Sequence, residues 1–426
     1  MPVITATFTA DRQVPALILK VGKYPLHSGG VAAVRTLGRL GIPVYAITED
    51  RLTPTAVSRY CTGRFVWRPT GLEDPVVLTA QLREIGQRLG KRSVIVPMDD
   101  EAAILIAEYA AELSEYFLFP PVEPSLPRAL ASKQKLYEMC RRHRIPAPVT
   151  SCPATGSELA AFAASATFPV VVKNAEPWVR RRAPVVSHSS VLHSADELLA
   201  ITPAADEAPN VIVQEYIPRE HAEDWFVHLY CDDSSNCLLT FTGLKVRSWP
   251  PHTGATASAY AVPNDVLADL AERLCKEIGF QGIADLDWRL DKRDGQYKLV
   301  DFNPRVGNQF RLFETAEGVD VVRALHLDLT GRPVPASSQL GGRRIVVEHI
   351  DLPARLSYRG NRGYPSAAPM PHHTSTELAW LAQDDPLPFI AMWPRLGKPL
   401  AEALTQFRRD HSRRGQSHST GKDGMQ

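Results

Sequence analysis

Two short runs, Asp285-Leu286-Asp287 and Asp301-Phe302-Asn303, each carry two oxygen-bearing side chains separated by one apolar residue, and Arg305 follows the second run. Alternate residues of a β-strand share a face, so within each run both oxygen groups point the same way. If the runs pair antiparallel, the two sets stand opposite each other and their hard oxygens converge. Magnesium takes such ligands, one or two carboxylates together with substrate phosphates. Arg305 would add a fixed guanidinium for phosphate or carboxylate oxygens. The plainer alternative is that the acids decorate a solvated sheet face. Ile283, Leu286, Trp288, Leu299, Val300 and Phe302 interleave with them, however, which puts a core behind one face. The other face then gathers negative charges that destabilise the fold unless a cation neutralises them.

Positive groups precede these runs. Lys173 closes the apolar run Phe168-Pro-Val-Val-Val, so a buried strand delivers an ammonium to its carboxyl end. That position suits a ligand phosphate, and equally a structural salt bridge or a snorkelling lysine. Lys133 lies in the first turns of a helical stretch, where a solvated lysine is the plainer reading. Lys245 and Arg247 alternate after Leu238-Leu-Thr-Phe-Thr-Gly and so share a face. Val211-Ile-Val-Gln-Glu-Tyr-Ile breaks at Pro218, freeing backbone groups that either end a sheet or read the edge of a base. Asp99-Asp100-Glu101 ends another strand and either caps a helix or meets an amine.

The elements that must position these groups follow from patterning. Strands are expected at Gly282–Leu290 and Gln296–Phe302, joined by Asp291-Lys-Arg-Asp-Gly with Asp294-Gly295 as a tight turn. Further strands read at Val170–Lys173, Val211–Tyr216, Trp225–Cys231 and Leu238–Lys245. Upstream, Pro15–Val21 reads as a buried strand, then a Gly29-Gly30 turn, a helix from about Val31 to Leu40, a strand at Ile42–Ile47, and a strand at Val94–Pro97 leading into a helix to about Leu113. This alternation belongs to a parallel α/β sheet. Four prolines in Phe119–Pro127 mark a boundary, after which a helix is expected from about Leu126 to His143. One more strand-like run lies at Arg344–His349, and the polar stretch from Arg408 to Gln426 reads as a frayed tail.

Bulk properties exclude several classes. With 48 Lys plus Arg against 47 Asp plus Glu, the chain has no global field to hold nucleic acid or anionic lipid. No apolar stretch approaches the roughly 18–20 residues that cross a bilayer, and the N-terminus lacks a signal pattern, so a cytoplasmic location is expected. The six Cys form no CxxC pair and signal neither a zinc site nor a disulfide framework. Gly29-Gly30 does not match GxGxxG, which rejects a dinucleotide-binding reading.

Taken together and in this order, residues 15–330 resemble the ATP-grasp superfamily of carboxylate ligases, in its D-aspartate-ligase-like and carbamoyl-phosphate-synthase-like branch. The most specific motif is Asp-Phe-Asn-Pro-Arg at 301–305 with Asp287 fourteen positions earlier. The resemblance implies an α/β fold in which two α+β subdomains clamp ATP, preceded by an α/β pre-grasp domain. The expected division is a flexible N-terminus over 1–14, the pre-grasp domain over 15–125, the ATP-grasp domain over 126–330, an extension over 331–407 and a flexible tail over 408–426. It further implies that Lys133 and Lys173 hold the nucleotide phosphates and that Gln214, Glu215 and Ile217 form the adenine hinge. Glu223, or its neighbour Asp224, would hold the ribose. Asp287, Asp301 and Asn303 would bind Mg²⁺ or Mn²⁺, Lys245 the transferred phosphate, and Arg305 with Arg247 the acyl phosphate.

The implied activity is ATP-dependent activation of a carboxylate as an acyl phosphate for attack by an amine, with ADP and phosphate as products. Its partners would be a small-molecule carboxylate and amine, with a homodimer compatible and neither nucleic acid nor membrane involved. The alternatives are a non-catalytic ATP-binding regulatory module, or an enzyme resembling biotin carboxylase or carbamoyl-phosphate synthase. The chain shows no biotin-accepting lysine motif. Two departures from the family pattern stand out. The stretch after Lys173, Asn174-Ala-Glu-Pro-Trp-Val-Arg-Arg-Arg-Ala-Pro, has no glycine, so either Arg180, Arg181 and Arg182 cover the phosphates or the cover is poorly formed. Asp replaces Glu at 287 and 301, a shorter reach toward a metal.

Overall fold

The computed structural model describes residues 8–68, 73–176, 185–186, 189–201, 207–250, 254–360 and 373–397. Within them the strands form three sheets. The first contains β1 (Ala16–Leu19), β2 (Val44–Thr48), β3 (Gly63–Val66), β4 (Ser93–Pro97) and β5 (Phe117–Leu118), in the order β3-β2-β1-β4-β5. Every pairing in it is parallel. Such sheets are covered on both faces and need continuously apolar strands, and all four residues of β1 are buried.

The second sheet contains β6 (Thr150–Ser151), β7 (Val170–Asn174), β8 (Ser190–Leu192) and β9 (Val211–Glu215), ordered β6-β9-β7-β8 and antiparallel. The third is the largest. It runs β14-β13-β10-β11-β12-β15-β16, with β10 at Ala222–Cys231, β11 at Cys237–Trp249, β12 at Ala255–Ala261, β13 at Gly282–Asp291, β14 at Gln296–Asn303, β15 at Arg343–Val346 and β16 at Ser375–Leu378.

Alternation along β10 and β13 gives the large sheet two different faces. Trp225, Val227, Leu229, Leu286, Trp288 and Phe302 turn to one side and pack under the helices Leu126–Ala131, Lys133–Arg142 and Asp265–Glu277. Phe226 and Phe241 turn to the other, where they meet Phe310 and Phe313 in a cluster that continues into Ile18, Val34 and Val96 of the first sheet. The Phe241 and Phe313 rings stack at 5.6 Å. One continuous core therefore joins the N-terminal sheet to the large one.

Several local expectations shift. The helix read as 126–143 breaks at Ser132, whose extended backbone (ψ 121°) ends one helix and whose Oγ caps the next. Lys133 is thus the first residue of the second helix, where the sequence placed it in the first turns of one longer helix. Gly29 and Gly30 belong to the helix Ser28–Gly38 and form no turn. Gly29 is small for a packing reason, because a Cβ there would lie 2.9 Å from Asn308 Oδ1. The run at Arg344–His349 is a strand only to Val346, and a helix starts at Glu348.

Chain ends contribute more contacts than their composition suggests. Of the stretch expected to be flexible, residues 8–14 are described, and Phe8, Ala10 and Val14 pack against the core. The expected tail at 408–426 lies outside the described residues. Asp385 accepts from Arg35 Nε at 2.9 Å and from Ser58 Oγ at 2.7 Å, tying the C-terminal region to the first domain. Trp380 is fully buried against Val31, Val347 and Met392.

The hairpin β13–β14 carries a one-residue irregularity. Asp285 pairs with Asn303 and Asp287 with Asp301, but Trp288 pairs with Leu299, leaving Val300 as an extra residue on β14. A β-bulge of this kind shifts the register by one and turns every residue beyond it to the other face. Without it, the spacing set by the Lys292–Gly295 turn would place Val300 opposite Asp287. Deleting Val300 should leave a cooperative thermal melt and keep Asp301 opposite Asp287 in a now regular ladder, while removing the carbonyl that holds Lys173 and so weakening nucleotide affinity by about 10-fold. Calorimetry on the variant tests this, and unchanged affinity would mean that the bulged carbonyl does not position Lys173.

Candidate active site

A cleft of about 600 Å³ opens between the second sheet and the large sheet. Its walls come from Val171, Lys173 and Val191 on one side and from Lys245, Asp287 and Asp301 on the other. Beyond the end of β9, Tyr216 and Ile217 line one end, with Glu223 and Asp224 at the start of β10.

The hinge region is held from behind. Gln214 Nε2 donates to Thr150 Oγ1 at 2.9 Å. The Glu215 carboxylate accepts from Lys298 Nζ at 3.0 Å and from the Val149 amide at 3.2 Å. With both side chains committed to the scaffold, the backbone around Tyr216 and Ile217 is what this wall presents to a flat ligand. Glu223 ion-pairs with Lys292 at 2.8 Å and accepts from Trp225 Nε1. Asp224, alternating with it, shares the face of Asp287 and lies 3.4 Å from Arg289 Nε.

At the other end, cations and carboxylates interleave. Lys133 Nζ donates to Asp301 Oδ1, and Lys245 Nζ donates to Asp287 Oδ1. Lys173, only 8% exposed, donates to the Val300 carbonyl at 3.4 Å, so the bulged residue supplies the acceptor that holds this lysine. Asp285 lies one step deeper, 2.9 Å from Arg305 Nη1 and 3.0 Å from His228 Nε2. Asn303 Nδ2 donates to the Asp285 carbonyl at 3.0 Å, so the atom it offers to a cation is Oδ1.

Burial and neighbours set the charges. Burial pushes the Asp287 carboxyl above the usual carboxylate range, and Asp285 and Asp301 add to the rise against the opposing pull of Lys245. At Asp301 burial acts the same way, yet Lys133 and Lys173 outweigh it and hold the group low. Lys245 stays above its ordinary value because Asp287, Asp285 and Asp224 overcome its burial. Burial brings the Lys173 ammonium down to about 8, with Asp301 resisting and Lys133 assisting. The site is thus short of positive charge at Asp287. Two carboxylates opposed across one ladder, with an amide oxygen two residues on, make the oxygen donor set that magnesium takes.

The remaining sequence candidates separate. Arg247 lines the cleft and donates through Nε to Asp351 at 2.8 Å. Arg305 does not join it on the cleft wall. It sits between Asp285 and Asp100, whose Oδ1 is 3.4 Å from Arg305 Nε. Asp99 caps the helix Asp100–Glu108, accepting from Ala102 N at 2.9 Å and from Gly22 N at 2.6 Å. Arg180, Arg181 and Arg182 lie outside the described residues. Sequence reasoning missed Arg289 and Tyr358, both of which line the cleft. Arg289 continues the two-residue period of Asp285 and Asp287 and was there to be found. Tyr358, on the helix Glu348–Gly360, is brought in by the fold alone.

Lys173 gives the site a pH signature. It is charged below about 8 and loses its proton above, so affinity for an anionic triphosphate should fall as pH rises from 7 to 9. Binding near pH 8 should take up protons, visible in calorimetry as a dependence on buffer ionisation enthalpy. Lys173→Arg, which stays charged, should flatten the profile, and an unchanged profile in that variant would assign the titration elsewhere.

Residues 133–329 match the family model described as carbamoyl-phosphate synthase L chain, ATP binding domain. The D-aspartate ligase of Enterococcus faecium (strain Aus0004) is 26% identical over 293 residues, which cover 65% of this chain and 68% of that protein. An L-amino acid ligase from Bacillus licheniformis superposes with a TM-score of 0.57 at 15% identity over 75% of each chain. N5-carboxyaminoimidazole synthetase from Staphylococcus aureus gives 0.58 at 11% identity, covering 86% of this chain and 93% of that one. The biotin carboxylase domain of Hydrogenobacter thermophilus 2-oxoglutarate carboxylase, solved with MgADP and bicarbonate, gives 0.56 at 15% identity over 76% and 71%. At these identities the solved structures show the fold, and the family match adds the nucleotide-binding domain. Among the described residues no helix is long and apolar enough to cross a membrane. The chain has the ATP-grasp fold, and its residues 133–329 are similar to the ATP-binding domain of that family.

Proposed function

We propose that this protein is an ATP- and magnesium-dependent carboxylate-amine ligase. The observation that carries the reading is the pairing of Asp287 with Asp301 across one ladder, beside the lysines at 133, 173 and 245 and inside a cleft large enough for a nucleotide. The name of the curated relative, D-aspartate ligase, is in keeping with it.

In this mechanism the backbone at Tyr216 and Ile217 receives the adenine, and Glu223 or Asp224 the ribose hydroxyls. Asp287, Asp301 and Asn303 would hold a magnesium ion, which when bound would offset charge on the nucleotide phosphates. Lys173, with Lys133 beside it, fixes the phosphates that stay with ADP. Lys245 meets the one that moves. A substrate carboxylate oxygen attacks the γ-phosphorus, the bond to the β-phosphate oxygen breaks, and ADP leaves. Arg305, engaged by Asp285 and Asp100 and off the cleft wall, would have to turn from those carboxylates to hold the acyl phosphate. An amine then attacks the acyl carbon, phosphate departs and the amine loses a proton. Such transfer relies on positioning and electrostatic stabilisation more than on a strong base, in keeping with a site built from cations and carboxylates.

Asp301→Ala should abolish turnover in a folded protein, measured as ADP release stimulated by pooled carboxylates and amines. ATP hydrolysis equal to wild type would refute the metal-ligand role, and ATP binding without any substrate-stimulated release by the wild type would instead favour a regulatory module. Lys245→Ala should lower kcat by roughly 10²-fold while changing ATP affinity far less, because its contact strengthens as the phosphate moves. Equal losses in binding and rate would place Lys245 on a phosphate that does not move.

A further inference from the structure

Cys231, Cys237 and Cys275 are separated in sequence but meet in space, their sulfurs all within 4.8 Å of one another. We infer that they form a site for one thiophilic metal ion, with zinc as its divalent representative, at the end of β10 remote from the nucleotide cleft. Cys231 stands directly opposite Cys237 across the β10–β11 ladder. Cys275 comes from a different element, the helix Asp265–Glu277 laid across that sheet. Cys231 and Cys275 are fully buried and Cys237 is half-buried, which leaves one side of the cluster open for entry.

The third sulfur decides between a metal and a disulfide. A cross-strand disulfide needs only the facing pair, whereas a soft cation needs three or four thiolates converging from separate elements. The turn that joins the two strand cysteines is also tied to the helix that carries the third. Asp232 Oδ1 accepts from the amides of Ser234 and Asn236 at 3.0 and 2.8 Å, which fixes the turn between the two strand cysteines. Lys276, next to Cys275, donates to the Ser234 carbonyl and to Asn236 Oδ1, both at 2.8 Å. Gln281 Nε2 adds a bond to the Asp233 carbonyl at 2.6 Å. These contacts lock the turn onto the helix that supplies the third ligand.

The thiolate is the form that binds metal, so the thiol protons leave to solvent on uptake. Zn–S bonds of about 2.3 Å place tetrahedral thiolates roughly 3.8 Å apart, so the Cys231 and Cys237 sulfurs, 2.7 Å apart here, spread to admit the ion. Seven residues of β10 separate Cys231 from Asp224, about 23 Å at the strand rise, so the ion acts as a staple and takes no part in phosphoryl transfer.

The test uses the full chain, reduced and free of oxygen, titrated with Co²⁺ as a spectroscopic substitute for zinc. The expected result is one Co²⁺ per chain with a thiolate-to-cobalt charge-transfer band, displaced by Zn²⁺, and a higher melting temperature with the ion bound. Cys275→Ala and Cys237→Ser should each lose the band while keeping a native circular dichroism spectrum, and Cys152→Ser should keep it. The band requires sulfur ligands, so cobalt bound at the acidic residues of the cleft would not produce it. Absence of the band, its persistence in both Cys275→Ala and Cys237→Ser, or closure of Cys231 and Cys237 to a disulfide in place of metal uptake would overturn the inference.

Discussion

Three carboxylates crowded into one two-stranded ribbon repel one another, and the surroundings of the cleft are organised around that repulsion. Asp285, Asp287 and Asp301 are mutual neighbours in a setting that shields them poorly from each other. Each is answered by a cation from a different part of the chain: Lys133 from a helix start, Lys245 from β11, and Arg305 from the loop after β14. Removing one partner of such a buried pair is far more damaging than the net worth of the pair suggests, because the other charge is left without compensation. With Lys173 of the second sheet bonded to the Val300 carbonyl, this site also ties in a sheet whose hydrophobic core is separate.

Placement of those cations depends on exceptions to regular structure. Lys133 reaches Asp301 from a helix interrupted at Ser132, and the same serine donates its hydroxyl to Glu176, bracing the entry to the stretch after β7. Lys173 is held by the carbonyl of the bulged Val300. Arg305 follows Pro304 out of the sheet and lodges against the N-terminal domain through Asp100. Regular helices and strands supply the stiffness here, and the breaks in them aim the side chains.

That division explains what could be read from the chain. Two-residue periodicity made the face of Asp285, Asp287, Asp301 and Asn303 legible, and the strand and helix alternation of the first domain was equally plain. The bulge was not, because Val300 looks like any other strand valine and only pairing reveals the extra residue. The helix break at Ser132 was hidden by good helix formers on both sides. The cysteine cluster escaped because its members are far apart in sequence, and the spacing rules for metal sites search for local pairs. Tyr358 and Asp351 escaped for the same reason: a composition rich in Pro, His and Arg after Gly331 gave no pattern, although the fold returns that region to the cleft.

The link between Arg35 and Asp385 spans 350 residues and has implications for how the molecule is made. The Arg35 guanidinium is almost completely enclosed in the finished fold, held by Asp385 and by the carbonyls of Trp380 and Asp385. At about 5–20 residues per second, a ribosome delivers Asp385 tens of seconds after Arg35 has emerged. During that interval the nascent first domain presents to solvent, or to a chaperone, the surface that the C-terminal region later covers. The surface around Arg35 is thus completed only when the segment around Asp385 has arrived.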